Sequence, residues 1–190
     1  MMVRTLSSLL RNVLAGLLLC LSVPANAAPL IGELAPALDL PTLDPAHQSP
    51  TFGPRINIAP RSGHIWVVDF FATWCGPCLK STAALDEVLR GFGDRVTLIV
   101  VDVSQPAERV IEHFQKQPLP KGAKLALDRD GQAAKRWGQD RFPTTFLVDD
   151  RGVIAHINRG YGPGYPARIE RWLRQMLTSQ TVQPPQTLSQ

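Results

Sequence analysis

The sequence predicts an α/β domain: a mixed central sheet flanked by helices, with an N-terminal extension in front of it. Three observations carry that reading. Ile65–Ala72 and Val96–Val103 are nearly continuous apolar runs, the pattern of strands buried on both faces. Each run is followed by apolar residues at helical spacing. The last third of the chain then reads as a hairpin and a strongly amphipathic helix, and the order strand, helix, strand, helix, hairpin, helix implies a mixed sheet covered by helices.

Taken in order, residues 1–27 read as an export signal. Arg4 and Arg11 supply a positive region, Val13–Val23 is apolar apart from Gly16, Cys20 and Ser22, and Ala25-Asn26-Ala27 offers small residues for cleavage before Ala28. The competing reading is an uncleaved anchor, but the apolar run is shorter than the ~20 residues a spanning helix needs. Residues 28–63 form the extension. In it Ala37-Leu38-Asp39-Leu40 suits a short edge strand, whereas Asp44–Gly63, with Pro45, Pro50, Pro54 and Pro60, is a poor former of strand or helix. A stretch of that length without regular structure is usually functional or disordered.

The main domain is expected over residues 64–177. The strand Ile65–Ala72 carries one charge, Asp69. Beyond it Leu85, Val88, Leu89 and Phe92 recur at helical spacing, with Gly91 and Gly93 marking the exit. Pro106 opens a second helix through Val110, Ile111 and Phe114. Leu125–Leu127 is a short strand, and Gln132–Trp137 a short helix ending at Gly138. Thr144–Val148, the turn Asp149-Asp150-Arg151-Gly152 and Val153–Ile157 read as a hairpin. Ile169, Trp172, Leu173, Met176 and Leu177 mark one face of the closing helix. Trp137, Trp172 and Phe146 are expected in the core; Tyr161 and Tyr165, beside a Gly/Pro-rich loop, are assigned no chemistry. Residues 178–190, rich in Gln, Thr, Ser and Pro, read as a disordered tail.

With 190 residues, 44% hydrophobic and 19% charged, the chain suits one globular domain. Its formal charge of +4, less the two signal arginines, is +2, too mild and too dispersed to imply nucleic acid. Export removes Cys20 and leaves two cysteines, both in one four-residue motif. In an oxidising compartment so small a loop is a working redox pair rather than a staple, because it constrains little chain entropy.

That motif, Cys75-Gly76-Pro77-Cys78, follows a buried strand and opens a helix. Unpaired N–H groups and the positive end of the helix dipole favour a thiolate at Cys75. Pro77 suits the first turn, where its missing N–H costs nothing, and helical geometry brings Cys78 near Cys75. Half of a zinc site is the alternative, but His47, His64, His113 and His156 are scattered singly and supply no further ligand pair. No metal and no cofactor is expected.

Phe70-Phe71-Ala72-Thr73-Trp74-Cys75-Gly76-Pro77-Cys78 resembles the active-site segment of thioredoxins. Phe142-Pro143-Thr144-Thr145-Phe146-Leu147-Val148-Asp149, preceded by Leu127-Asp128-Arg129-Asp130-Gly131, resembles the exported thioredoxin-like branch of the TlpA/ResA type, as does Gly32-Glu33-Leu34-Ala35-Pro36. The resemblance runs from about Ile31 to Leu177 and implies a thioredoxin fold and thiol-disulfide exchange. By position Cys75 matches the attacking thiol, Cys78 the resolving thiol, and Asp69 the buried carboxylate that handles the resolving cysteine's proton. Thioredoxins place a Lys near this carboxylate, and Val96–Val103 contains none. Pro143 matches the family's cis-proline, which would turn the backbone of Phe142 toward an extended peptide. Trp74, Gly76, Pro77, Phe142, Pro143 and Thr144 are thus the expected substrate-facing set. Trp74 reads as a surface shield for the dithiol, with core packing as the alternative.

The function so implied is an exported thiol-disulfide oxidoreductase, periplasmic or secreted. Its partners would be protein thiols and disulfides, including apocytochrome c or metal-site cysteines. Gly76-Pro77, as in thioredoxin, points to the reducing direction, with a membrane electron donor, no membrane span after cleavage, and a monomeric state. Two alternatives stand beside it. A copper or haem chaperone would use the thiol pair as ligands. A thiol peroxidase needs Thr three residues before its cysteine, where this chain has Ala72.

Overall fold

A computed structural model describes residues 28–47 and 49–182. The expected export signal over 1–27 lies outside the described residues, as do residues 183–190 of the expected tail. Seven strands form one sheet: β1 (Leu40–Leu43), β2 (Phe52–Ile56), β3 (Ile65–Phe71), β4 (Val96–Val103), β5 (Lys124–Asp128), β6 (Thr144–Val148) and β7 (Ile154–Arg159). Their spatial order is β2-β1-β5-β4-β3-β6-β7. The inner trio β5, β4 and β3 is parallel, and the pairs on either side are antiparallel, so the sheet is mixed as expected. Helices α1 (Gly76–Leu89), α2 (Ala107–Lys116), α3 (Gln132–Arg136) and α4 (Tyr165–Val182) cover it.

Strand alternation divides the interior into two layers. Ile65, Val67 and Phe71 of β3 meet α1, α2 and α4 through Leu85, Val110, Ile111, Phe114, Ile169 and Leu173. Val68 and Phe70 face the opposite side, where they join Leu38, Ile99, Val101, Trp137 and Phe146. There Phe70, Trp137 and Phe146 pack edge to face or tilted at centroid separations of 4.9–5.8 Å. Full burial of each such ring contributes roughly 1.5–3 kcal/mol. Both layers pack on β3.

The structure departs from the sequence expectations in three places. Leu38 is buried but not in a strand; β1 starts at Leu40 and lies inside the sheet, between β2 and β5, not at its edge. Within Asp44–Gly63, expected to be irregular, Phe52–Ile56 forms β2. That strand occupies the sheet edge, where Pro54 can lack an N–H on the open side without breaking a ladder. The closing helix continues past Leu177 to Val182, so the first residues of the expected tail are helical.

The extension is also continuous with the domain. Gly32 N–H donates to the Ile154 carbonyl (2.8 Å), Ile154 N–H to Glu33 (2.9 Å) and Ala35 N–H to Gly152 (2.9 Å). At Gly138, where φ is +62°, a side chain would strike Ala28, so glycine both ends α3 and admits the start of the extension.

Candidate active site

Beyond Phe71 the chain turns through Ala72-Thr73-Trp74, and Cys75 becomes the N-cap of α1 with extended backbone. Cys75 Sγ accepts the Cys78 N–H at 3.1 Å, so a helix N-terminal donor aims at that sulfur. The first turn of α1 contains Pro77 and no acidic side chain to oppose negative charge there. Cys75 and Cys78 are joined as a disulfide. Cys75 retains 5% exposure and Cys78 none, while Gly76 and Pro77 are exposed on the outer side of the turn. The turn is clamped from the connection after β4: Thr73 N–H donates to Gln105 Oε1 (2.7 Å), and Gln105 Nε2 donates back to Thr73 Oγ1 (2.9 Å).

Asp69 shares the β3 face of Val67 and Phe71, beneath α1, and is fully buried. It lies opposite Val100 of β4 and Thr145 of β6. Thr145 Oγ1 donates to Asp69 Oδ1 at 2.7 Å, and Asp69 Oδ2 has no hydrogen-bond partner. Burial pushes the Asp69 carboxyl up to about 7, against the opposing pull of the Thr145 and Ser81 hydroxyls. Ser81 is one helical turn beyond Cys78 on the same buried face of α1, and its hydroxyl donates to the Cys78 carbonyl (2.9 Å). Ser81 therefore stands between the buried carboxyl and the helical turn that carries the inner cysteine.

The Phe142-Pro143 bond is cis. Pro143 is buried and its carbonyl accepts the Gly160 N–H at 2.7 Å. Phe142 is half-buried and meets Trp74 edge to face at 5.5 Å. Trp74 itself is 67% exposed, which fits the surface reading and not the core one. Thr144, expected in the substrate-facing set, is fully buried, and its hydroxyl donates to the Arg141 carbonyl (2.7 Å). It braces the cis turn from within and presents no side chain outward. The outer surface of the site is thus Trp74, Gly76, Pro77 and Phe142 around the edge of Cys75.

Sequence reasoning passed over four residues here. Gln105 clamps the turn from the β4–α2 connection. Thr145 is the strand partner of Asp69, a placement available only once β6 is paired with β3. Tyr165 is fully buried at the start of α4, with its hydroxyl 2.9 Å from Thr145 Oγ1. Asp102 on β4 is a second fully buried carboxylate, with neither oxygen hydrogen-bonded. It was visible in the sequence as a charge between Val101 and Val103. Among the described residues no group of three or more His, Cys, Asp or Glu is gathered as a metal site.

This geometry can be set beside known proteins. A family model described as Redoxin matches residues 32–171. The thiol:disulfide interchange protein DsbE of Allochromatium vinosum is 30% identical over 133 residues, spanning 70% of this chain and 68% of its own length. The thiol-disulfide oxidoreductase ResA of Bacillus thuringiensis subsp. konkukian is 26% identical over 125 residues, spanning 65% and 70% respectively. The crystal structure of StoA from Bacillus subtilis superposes with a TM-score of 0.57 at 22% identity, covering 73% of this chain and 97% of that one, a likeness of fold.

Proposed function

Because the chain belongs to the redoxin family and is a thiol-disulfide oxidoreductase of the thioredoxin superfamily, we propose that it works outside the cytoplasm, passing electrons from the Cys75/Cys78 dithiol to disulfides of protein partners. The observation that carries this reading is the asymmetry of the pair. The sulfur with residual exposure receives the helix N–H, and the sealed one shares the buried face of α1 whose Ser81 lies beside a carboxyl poised near neutrality.

In the proposed reaction the Cys75 thiolate attacks one sulfur of a substrate disulfide. The new bond joins Cys75 to the substrate, and the other substrate sulfur leaves with an electron pair and takes a proton from solvent. Asp69 then accepts the Cys78 thiol proton, and Cys78 attacks Cys75 Sγ. The Cys75–substrate bond breaks, the Cys75–Cys78 disulfide forms, and the second substrate sulfur departs as thiolate. Two electrons have moved from the dithiol to the substrate. An acid with a pKa of about 7 suits this task, since it can accept and release a proton at neutral pH. Trp74 and Phe142 offer apolar contact beside Cys75. The cis turn at Pro143, braced by Thr144, orients the Phe142 backbone toward an extended chain, and Gly76 and Pro77 complete the contact surface.

Export is supported by residues 1–27 read as a signal peptide, and in this reading a membrane electron donor returns the pair to the dithiol state. Apocytochrome c or metal-site cysteines fit the partner class. The reducing direction is supported by Gly76-Pro77, neither of which can supply a charge or a side-chain hydrogen bond to stabilise the reduced form. A potential close to thioredoxin's, about −270 mV, is expected rather than one near the DsbA end at about −120 mV. Equilibration with dithiothreitol or glutathione measures it, and a value at the oxidising end defeats the direction proposed. The reaction order is tested by trapping: Cys78→Ser should accumulate mixed disulfides with partner proteins in cells and Cys75→Ser should not. Equal trapping by both variants would overturn the order of attack.

A further inference from the structure

Asp69 sits in a chain of three polar groups that the reaction scheme above does not explain. Thr145 Oγ1 is 2.7 Å from Asp69 Oδ1 and 2.9 Å from the Tyr165 hydroxyl, and all three side chains are fully buried. A threonine hydroxyl has one proton to give, and an ionised carboxylate can only accept. When Asp69 is ionised, Thr145 must therefore donate to Oδ1 and Tyr165 must donate to Thr145. The direction of both bonds is set by the charge at one end. Tyr165 stays neutral throughout, because burial and the neighbouring Asp69 carboxylate push its phenol well above the ordinary tyrosine range. The two oxygens of Asp69 are thus unequal: Oδ1 is held as an acceptor, and Oδ2 is buried with no partner, the one proton of the nearby Ser81 hydroxyl being given to the Cys78 carbonyl. A buried carboxylate oxygen without a donor is costly, so a proton arriving at Asp69 settles on Oδ2 and leaves the chain at Oδ1 undisturbed.

From this we infer that Thr145 and Tyr165 are positioning residues for thiol-disulfide exchange, their hydroxyls holding Asp69 Oδ1 in a directed hydrogen-bond chain so that Oδ2 is the oxygen that trades a proton with Cys78. The inference deepens the proposed exchange reaction and rests on Asp69 serving it. The ionisable groups around the carboxylate and the Tyr165 phenol linked to it are few. Cys78 comes from α1, and Tyr165 and Arg168 come from α4, with Tyr161 in the connection before it. Asp102 lies on the same face of the neighbouring β4, diagonal to Asp69 across one register step. Arg168 is engaged with Asn158 Oδ1 through two hydrogen bonds of 2.9 and 2.7 Å. The chain from Tyr165 is therefore the polar connection of Asp69 to α4.

The experiment is a carbon-13 NMR titration of the Asp69 carboxyl in the oxidised full chain, for the wild type, Tyr165→Phe, Thr145→Val and Thr145→Ser. Loss of a hydrogen bond to a charged acceptor makes ionisation harder. Thr145→Val should raise the titration midpoint by about one pH unit or more, and Tyr165→Phe by about half as much, acting through Thr145. Thr145→Ser should restore the wild-type midpoint. A purely structural role for Tyr165 and Thr145 would lower thermal stability and leave the midpoint in place, and that result overturns the inference. Should Thr145→Val fail to fold, Tyr165→Phe, which keeps ring and packing, decides alone. The readout does not depend on activity. If Asp69→Asn exchanges disulfides at the wild-type rate while the midpoints still move, the reaction scheme fails and the hydrogen-bond chain stands.

Discussion

Asp69 and Asp102 are two fully buried carboxylates on adjacent strands, facing the same side of the sheet, and they are treated differently by their surroundings. Asp69 receives the Thr145 hydroxyl and lies beside Ser81; Asp102 receives nothing. Burial pushes Asp69 up to about 7 and Asp102 further, to about 8. Asp128, at the end of β5, shows a third arrangement: its two oxygens accept the Ala133 and Ala134 N–H groups at 3.1 and 2.7 Å, closing the first turn of α3. Burial alone therefore does not make a carboxyl a proton carrier. Asp128 is tied up on both oxygens and Asp102 is bonded on neither, whereas Asp69 is held on one oxygen and open on the other.

The largest expected effect separates the first two acids by chemistry. Asp69→Asn removes the proton acceptor proposed for Cys78 and should slow resolution of a mixed disulfide at pH 7 by about 10²-fold, the lower end of what a positioned acid or base contributes. Asp102→Asn should leave that rate within a factor of about two, because burial favours the protonated form of this carboxyl, which cannot accept a proton, and none of its atoms joins the Asp69 hydrogen bonds. Rapid-mixing measurement of thiol release from a defined mixed disulfide at Cys75 reads both. Equal slowing by the two variants would break the distinction and make both acids part of one proton pool.

What the sequence allowed one to see follows the range of the interactions involved. β3 and β4 were legible because both faces are buried, and α1 because apolar spacing and the Cys75–Cys78 motif coincide at its start. Asp69 was legible as a charge inside an apolar strand. The same signal stood at Asp102 and passed unremarked, although a charge flanked by Val101 and Val103 poses the same question. β1 and β2 were misread for another reason. Prolines argue against strand locally, but an edge strand needs only one side of its ladder, and nothing local says that Leu40–Leu43 lies inside the sheet. Thr145 and Tyr165 were out of reach because their roles exist only after β6 has paired with β3 and α4 has packed against that face. Tyr165, in a Gly/Pro-rich neighbourhood, carries no periodic signal of its own.

A smaller effect sharpens the same comparison through stability. Both acids bind protons more tightly in the folded chain than in the unfolded chain, where an aspartyl group titrates near ~3.9. Between that value and its folded pKa, such a group is protonated when folded and ionised when unfolded. The folded state then binds more protons, so the stability each of these two groups contributes is fully present below pH about 4 and is lost as pH rises, by about 1.4 kcal/mol per pH unit for each group. For Asp69 the fall ends near pH 7 and for Asp102 near pH 8. Urea unfolding of the oxidised protein from pH 4.5 to 8.5 should therefore show two slopes, steeper below pH 7 where both acids contribute and shallower from pH 7 to 8 where Asp102 contributes alone. Asp102→Asn should remove the second slope and about half of the first, whereas Asp69→Asn should spare the second. If Asp102→Asn leaves the pH profile parallel to the wild type, then Asp102 is ionised in the folded protein and the contrast with Asp69 is lost. The redox state is a useful control, because the Asp102 segment should persist after reduction while the Asp69 segment shifts with the protonation of Cys78, its neighbour on α1.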